Sequence, residues 1–233
     1  MKEISVEELK HLIEHRDKSK RLNLQDYKLH NMDMTGWDMS NMDVSLSSFL
    51  GSILNGVNFE NSIIEKALFD GCSMFSVNLK NANVTGSCFR RCDLRDSNAE
   101  GTNFLRSVLE LADMSGMKIN DQTKWIRLHC PEKGPFLGYK KCMGDRLVQL
   151  LIPADAKRSS ATGATCRCNK AKVLTIKSFD YKEQYEEAWS LVDENFVYRV
   201  GQWVEVKDFN EDRWFDSTTG IHFWLTREEA KAY

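Results

Sequence analysis

The chain has 233 residues, of which 42% are hydrophobic and 28% are charged, and its formal net charge is −2. This composition can supply a hydrophobic core and excludes disordered, collagen-like and linker-dominated chains. The balanced charge excludes a dedicated nucleic-acid binder, and no stretch approaches the roughly eighteen apolar residues of a membrane helix.

Residues 1–21 are predicted to hold a capping helix. Ser5 followed by Glu8 is a capping-box pattern, and an apolar stripe of helical period is formed by Val6, Leu9, Leu12 and Ile13. The same stretch lacks the basic start and continuous apolar run of a signal peptide, which predicts a cytoplasmic protein. In that compartment the seven cysteines are expected to be free thiols.

Residues 22–121 repeat with a period of five. They divide into twenty blocks, from LNLQD and YKLHN to ADMSG and MKIND, and the central residue of every block is apolar. These centres are Leu24, Leu29, Met34, Met39, Val44, Phe49, Leu54, Phe59, Ile64, Phe69, Met74, Leu79, Val84, Phe89, Leu94, Ala99, Phe104, Leu109, Met114 and Ile119. A helix has a period of 3.6 and a strand a period of two, so neither element can bury this set.

A four-sided coil can bury these centres together. If every block forms one side and turns one corner, four blocks make a coil of twenty residues, and stacked coils pair at the strand spacing of about 4.8 Å. The residue two positions before each centre must then be small, and from Ser47 onward it is Ser, Thr, Cys, Ala or Val. Large residues occupy this position in the first coil, at Leu22, Tyr27, Met32 and Trp37, which indicates an end covered by the N-terminal segment.

Blocks such as VNLKN, ANVTG, CDLRD and ADMSG resemble the consensus of the pentapeptide-repeat family, in which Ala and then Asp or Asn precede a central Leu. The resemblance implies a mainly β protein built on a right-handed quadrilateral β-helix, here with five coils of four pentapeptides each. The best-understood members imitate DNA in front of a topoisomerase and are dimeric and markedly acidic. With 9 basic and 13 acidic residues, the segment 21–121 matches that acidic surface weakly.

Residues twenty apart stack in neighbouring coils, so each outward position defines a column. One column reads Lys28, Ser48, Leu68, Cys88 and Val108, at a position where the family prefers Asp or Asn. Leu50 and Leu111 lie on the same side. Because exposed apolar patches mark contact surfaces, the candidate interface is Ser48, Leu50, Leu68, Cys88, Val108 and Leu111. The contact is either a second copy of the chain or the C-terminal domain, and scattered exposed side chains without any contact are the alternative.

The period stops after Asp121, and residues 122–233 are predicted to form a small mixed α/β domain. Strands are expected at 146–152, 171–176, 202–206 and 221–225, and a helix is expected over 180–192. Thr226 and Glu229 form a second capping box before a last helix. The strings GYKKC, LLIPADAKRSSATG, NKAKVL and TGIHFWLTREEA resemble an uncharacterised domain that follows pentapeptide repeats in bacterial and phage proteins. That resemblance implies no reaction and no ligand.

Basic and hydroxylated side chains gather between Pro153 and Lys172. Side chains of these types surround phosphate groups in proteins, and the candidate anion-binding set is Lys157, Arg158, Ser159, Ser160, Arg167, Lys170 and Lys172. The GxxxxGK[ST] spacing of a Walker loop is absent. A solvated loop explains the same residues, because charge runs of this size usually lie on a surface.

Four cysteines and a histidine raise a zinc hypothesis: Cys130, Cys142, Cys166, Cys168 and His129. Structural zinc sites bring ligands in close pairs such as CxxC, whereas the CRC string has a one-residue gap, so neither metal nor cofactor is expected. His222 lies in a predicted strand, and no motif ties a nucleophile or carboxylate to it. This pattern favours a half-buried structural histidine.

The sequence favours a non-enzymatic binding or scaffold protein that presents β-helix faces to a protein partner or to a second copy of itself. Neither nucleic acid nor a membrane is expected as a partner. Two alternatives stay open. In one, the C-terminal domain binds a phosphate-bearing ligand or nucleotide, either as a binding module or as a small enzyme. In the other, the β-helix is a DNA mimic that regulates a topoisomerase.

Overall fold

The computed structural model describes residues 1–233, which divide into two units, Met1–Arg127 and Leu128–Tyr233. The first unit begins with strand β1 (Lys2–Glu3) and helix α1 (Val6–Glu14). Three short strands follow, β2 (Leu22–Asn23), β3 (Tyr27–Lys28) and β4 (Met42–Asp43). From there, pairing continues as single parallel bridges between residues twenty apart.

Four columns of parallel bridges run through the first unit. One joins Lys28, Ser48, Leu68, Cys88 and Val108 in turn, and the others run through Asp33, Asp38 and Asp43. Backbone hydrogen bonds accompany the bridges, such as Phe49 N–H to Leu68 O at 2.8 Å. Stacking in this way satisfies the backbone polar groups inside the protein. The expected spacing of twenty residues per coil is therefore confirmed.

The corners explain the period of five. The second residue after each centre has a positive φ at every corner from Asp26 to Gly116. A hydrogen bond closes the corner, as from Ser52 N–H to Phe49 O at 2.9 Å. Left-handed backbone favours Gly, Asn and Asp, which fill most of these corners. Leu46, at φ 62°, and Leu111, at φ 59°, are the apolar exceptions.

The repeat centres form the core of the first unit. Those from Leu24 to Leu109 are all exposed by 1% or less. Phe49, Phe69 and Phe89 stack in one column, with ring centroids 4.7 and 5.0 Å apart. The period-five pattern therefore predicts the interior correctly over these residues.

The last block departs from the pattern. Ile119 is 41% exposed, so the expectation that this centre is buried is wrong. Its neighbour Lys118 still pairs with Asn98, twenty positions before it, and one extra residue enters afterwards, because Asn103 pairs with Lys124, twenty-one positions on. On that next side Thr123 takes the small inward position, with its hydroxyl donating to Ala99 O at 2.9 Å.

The small inward residues also tie successive coils together. The Ser52 hydroxyl accepts the Met32 N–H at 2.9 Å and donates to Leu29 O at 2.8 Å. Ser62 makes the equivalent bonds, accepting the Met42 N–H and donating to Met39 O. Serine at this position is therefore both small enough for the interior and a polar link between coils.

Replacing Ser52 by Ala is expected to lower the free energy of unfolding of the first unit by about 1–3 kcal/mol, because a buried N–H and C=O lose their partner. Ser97→Ala is the matched control, since Ser97 is 0% exposed and its hydroxyl has no hydrogen-bond partner. We expect the control to change stability by less than about 0.5 kcal/mol. Urea unfolding of both variants measures the difference, and equal losses would contradict the role of the hydroxyl.

The N-terminal segment contacts the first coil. The predicted capping box is present, with Ser5 and Glu8 bonded to each other's backbone. Strand β1 pairs in parallel with β3, and Arg16 lies 3.1 Å from Asp38. Burial opposes ionisation of Asp38, but hydrogen bonds from Lys18 and Ser40 and the charge of Arg16 outweigh it and hold the pKa of Asp38 well below its usual range.

Nine strands and one helix make up most of the second unit. They are β5 (Phe136–Cys142), β6 (Arg146–Ile152), β7 (Arg158–Ser160), β8 (Cys166–Cys168), β9 (Lys170–Ser178), β10 (Glu187–Trp189), β11 (Val197–Arg199), β12 (Trp203–Glu205), β13 (Ile221–Phe223) and α2 (Arg227–Ala232). A 3₁₀ turn, Met143–Asp145, joins β5 to β6. The sheet orders are β12-β9-β6-β5, β13-β8-β7 and β10-β11, and all pairs are antiparallel.

The four predicted strands correspond to β6, β9, β12 and β13, and the second capping box is present at Thr226 and Glu229. The helix predicted over 180–192 is wrong. Strand β10 lies there, and its Ala188 is buried opposite Tyr198 of β11. This cross-strand contact outweighs a weak local helix signal.

The core of the second unit is built from residues of all three of its sheets. Alternate residues of β6 and β9 face it, together with Ile221 and Phe223 of β13. Gly138 lies beneath Phe223, where an added Cβ would come within 2.6 Å of the ring. Neither helix of the protein has the length and apolar composition needed to cross a membrane.

Candidate functional site

The candidate interface residues lie on one side of the β-helix. Leu50, Leu68 and Leu111 are 37%, 38% and 53% exposed, and Cys88 and Val108 are half-buried. Ser48 adds no surface, because it is 2% exposed and its hydroxyl lies 2.7 Å from His30 Nε2.

Leu46 belongs to the same surface, and the sequence analysis did not include it in the candidate interface. It is 50% exposed at the corner that precedes this side. The available signal was an apolar residue at a position where Gly, Asn or Asp is usual. We call the following set the apolar face: Leu46, Leu50, Leu68, Cys88, Val108 and Leu111.

Other sides of the coil use the column position differently. There, Asn58 accepts the Glu60 N–H at 3.1 Å and Asp93 accepts the Arg95 N–H at 3.2 Å, so the side chain caps its own turn. Leu68 and Val108 have no acceptor with which to make that bond. Leu68 and Val108 of the apolar face therefore lack the side chain to backbone hydrogen bond that stabilises the turn on neighbouring sides.

A row of ion pairs lies beside the apolar face. Arg90 lies 3.6 Å from Asp70 and 3.0 Å from Glu110, in the coils on either side of it. Burial raises the pKa of the Cys88 thiol, and a hydrogen bond to Asp70 raises it further. An apolar strip edged by compensated charges has the core-and-rim composition of protein interfaces.

The candidate anion-binding residues do not form an open basic site. Arg158 donates to five backbone carbonyls, those of Pro131, Gly134, Pro153, Ala154 and Ala156. Arg167, which is 2% exposed, donates to the carbonyls of Asn210, Asp212 and Thr219. Both arginines thus hold loops together by filling the acceptors of the protein's own backbone.

Several other members of that set have partners of their own. Lys157 pairs with Glu211, and Lys170 lies 2.6 Å from Asp155. Ser159 and Ser160 are buried; Ser160 accepts the His129 N–H at 2.8 Å, whereas the Ser159 hydroxyl has no hydrogen-bond partner. The backbone of Lys172 pairs with that of Trp203 across the sheet. The segment is a structural part of the second unit.

The four cysteines of the zinc hypothesis are buried in one apolar core, at 2% exposure or less. A hydrogen bond from Cys166 lowers the pKa of Cys130 against the effect of burial, with help from the charges of Arg158 and Arg213. No group of three or more His, Cys, Asp or Glu side chains is placed to hold a metal ion.

His222 lies beside a cavity of about 720 Å³ in the second unit. Burial, followed by the charges of Lys140 and Arg167, lowers the pKa of His222 to about 4. Its Nε2 is buried and has no hydrogen-bond partner. Lys140 lines the same cavity, and the sequence analysis did not identify it as a site residue. The alternation of β5 was the available signal, because Lys140 shares a face of that strand with the buried Gly138 and Cys142.

Coils of twenty residues, with a residue of positive φ at each corner, define the class of protein as a four-sided β-helix. A family model described as pentapeptide repeats (8 copies) matches residues 52–91 and 87–121, and one described as a family of unknown function (DUF5758) matches residues 126–230. Residues 52–121 thus match the pentapeptide-repeat family and are followed by a DUF5758 domain at 126–230, and both predicted resemblances are confirmed. No curated protein matches it.

Solved pentapeptide-repeat structures match the chain at low identity. HetL of the cyanobacterium Nostoc sp. strain PCC 7120, involved in heterocyst differentiation regulation, is 21% identical with a TM-score of 0.43, and the match covers 48% of each chain. A thylakoid-lumen protein of Arabidopsis thaliana is 19% identical with a TM-score of 0.41, over 45% of this chain and 72% of that one. The fluoroquinolone resistance protein QnrB1 is 16% identical with a TM-score of 0.23, over 42% and 61%. The chain thus spans about half the length of HetL, and none of these likenesses bears on function.

Proposed function

We propose that the protein is a non-enzymatic scaffold that binds a protein partner through the apolar face. The conformation of Leu46 and Leu111 carries this proposal. Both are exposed leucines held at positive φ, a backbone conformation that costs a bulky residue about 1 kcal/mol or more. Neither recovers that cost by burial within the protein. Contact with a partner would recover it.

The hydrogen-bonded coils support the same function. Leu68 and Cys88 of the apolar face are each paired to the coil before and the coil after, as Leu68 is to Ser48 and Cys88, and Val108 is paired to Cys88. A surface on a paired backbone loses little conformational entropy when it binds. The face is thus preorganised for association.

Adding charge to the apolar face is expected to abolish partner binding, because an ammonium group would have to be desolvated at the contact. The variant is the full chain with Leu68→Lys and Leu111→Lys. The matched control is Leu12→Lys on helix α1, where Leu12 is 42% exposed. We expect at least a tenfold loss of affinity for the double variant and no comparable loss for the control.

Two measurements check this prediction. Light scattering over a range of concentrations tests a second copy of the chain as the partner, and affinity capture with all three proteins tests other partners. Cys88 adds a local probe, since it is the one cysteine that is not fully buried, and occupancy of the face should slow its alkylation. Binding that is identical for the wild type and the double variant would contradict the proposal.

The surface of the β-helix does not favour DNA mimicry. A mimic needs a continuous acidic stripe. Arg90 pairs with Asp70 and Glu110. Arg95 pairs with Asp93 and Asp113. These arginines compensate the acidic side chains beside them and so interrupt an acidic stripe.

A further inference from the structure

Lys140 is a buried lysine that forms no ion pair. It is 7% exposed, and its Nζ donates to His222 O at 3.2 Å and lies 5.9 Å from the centre of the Tyr198 ring. Burial lowers its pKa, because the ammonium form loses hydration. Lysine is almost never fully buried in proteins unless it is paired. One carbonyl acceptor leaves most of this cost uncompensated.

The cavity beside Lys140 has the size of a ligand site. Its volume of about 720 Å³ lies within the range of roughly 300–1,000 Å³ that small-molecule sites occupy. Its lining comes from strands in all three sheets, with Lys140 on β5, Tyr198 on β11, Glu205 on β12 and His222 on β13. Ligand sites are typically lined in this way, by a small number of polar or charged side chains that several elements bring to one cavity.

The rest of the lining restricts the ligand. Phe196 and Tyr198 supply an aromatic wall, with ring centroids 5.2 Å apart. Asp193, Glu205, Asp208 and Lys207 line the cavity and are exposed, so three acidic groups outnumber one basic group there, whereas Lys140 and Tyr198 are buried. A positive group at depth and acidic groups at the mouth favour a ligand with a single negative charge over a phosphate dianion.

We propose that this cavity binds a small organic monocarboxylate. The carboxylate pairs with Lys140 Nζ, and the apolar body of the ligand lies against Phe196 and Tyr198. His222 lines the same cavity, and its carbonyl is the acceptor that holds Lys140 Nζ there at 3.2 Å. The site is separate from the apolar face and does not depend on it.

Benzoate is the probe, and neutral benzamide is its isosteric control. In the full chain, benzoate at ten times its Kd is expected to raise the melting temperature of the second unit by about 5 °C or more. Benzamide should have no comparable effect. Phenyl phosphate should bind more weakly than benzoate, because its second negative charge meets the acidic mouth.

Lys140→Met separates a binding role from a structural one. A binding lysine is costly in the free protein, so the ligand-free variant should melt at a higher temperature than the wild type while its benzoate response is lost. A merely structural lysine predicts a lower melting temperature. Lys141→Met is the matched control, since Lys141 is the next residue of β5 and its Nζ lies 5.6 Å from the Phe179 ring centre. It should keep the full response.

Calorimetric titration gives the affinities that these comparisons need. Several results would overturn the proposal: no benzoate binding at millimolar concentration, an equal response to benzamide, or an unchanged response in Lys140→Met. Tighter binding of phenyl phosphate than of benzoate would overturn the assignment of a carboxylate.

Discussion

Replacing Arg167 by Ala is expected to destabilise the second unit by about 3–5 kcal/mol, because three backbone acceptors lose a charged donor and a cavity is left. The Arg167 guanidinium donates to the carbonyls of Asn210, Asp212 and Thr219 at 2.9–3.1 Å. Alanine would leave these acceptors without their donor and would open a cavity where the largest fully buried side chain now lies. The segment 210–219 should lose its attachment to strand β8.

Urea unfolding monitored by tryptophan fluorescence measures this loss, since Trp214 lies within the attached segment. Arg199→Ala is the matched control. Arg199 is an arginine in the same unit whose side chain is 51% exposed and pairs with Glu187 at 3.3 Å. An exposed ion pair contributes about 0–1 kcal/mol, so the control should unfold near the wild type. A loss below about 1 kcal/mol for Arg167→Ala would refute the assigned role.

Arg167→Lys should recover little of the lost stability. Lysine keeps the charge but replaces a planar fork of five donors by a single ammonium group. It cannot reach carbonyls on several parts of the loop at once. This variant therefore separates the geometry of the guanidinium from its charge.

The second large effect is expected in the stacked core of the β-helix. Phe69→Ala should lower the free energy of unfolding of the first unit by about 3–5 kcal/mol, as large-to-small core substitutions of Phe do. Phe69 is 0% exposed and stacks on Phe49 and Phe89 at 4.7 and 5.0 Å. Its loss would remove contacts to the coil on each side.

Phe75→Ala provides the comparison in the same unit. Phe75 is 41% exposed, and Arg95 lies over its ring at 5.8 Å from the centroid. A surface contact of this kind is worth about 0.5–1 kcal/mol. Chemical unfolding of both variants gives the two losses of unfolding free energy. Similar losses would show that the stacked rings contribute no more to stability than an exposed phenylalanine does.

The two proposed sites use different kinds of structure. The apolar face repeats along a ladder, so its residues are spaced by the coil and can be read from the sequence once the period is known. The Lys140 cavity is assembled from loops and strands that are far apart in the chain, and it follows no period. Loss of one site by substitution should therefore leave the other intact.

Local rules predicted the parts of the fold that depend on near neighbours. The period of five, the buried centres from Leu24 to Leu109 and both capping boxes follow from short-range stereochemistry. Strand β6, Arg146–Ile152, was also predicted with its observed limits. In each case the signal lies within a few residues, as the stereochemistry of corners and helix ends requires.

The errors arose where distant partners decide. The region 180–192 contains strand β10 because residues 197–199 pair with it, and Ile119 is exposed because the columns of bridges continue over no further coil there. The basic segment resembled an anion site because the carbonyls that occupy Arg167 lie 43 to 52 residues further on.

The sequence by itself determined a coil of twenty residues with an apolar interior, because each pentapeptide carries its own corner and its own inward side chain. Only the tertiary structure decided which charged groups are free to act. Arg158 and Arg167 meet backbone acceptors, whereas Lys140 faces an open cavity with one carbonyl for a partner. That difference depends on three-dimensional proximity, since a buried donor must be satisfied by whatever atoms the fold brings near it.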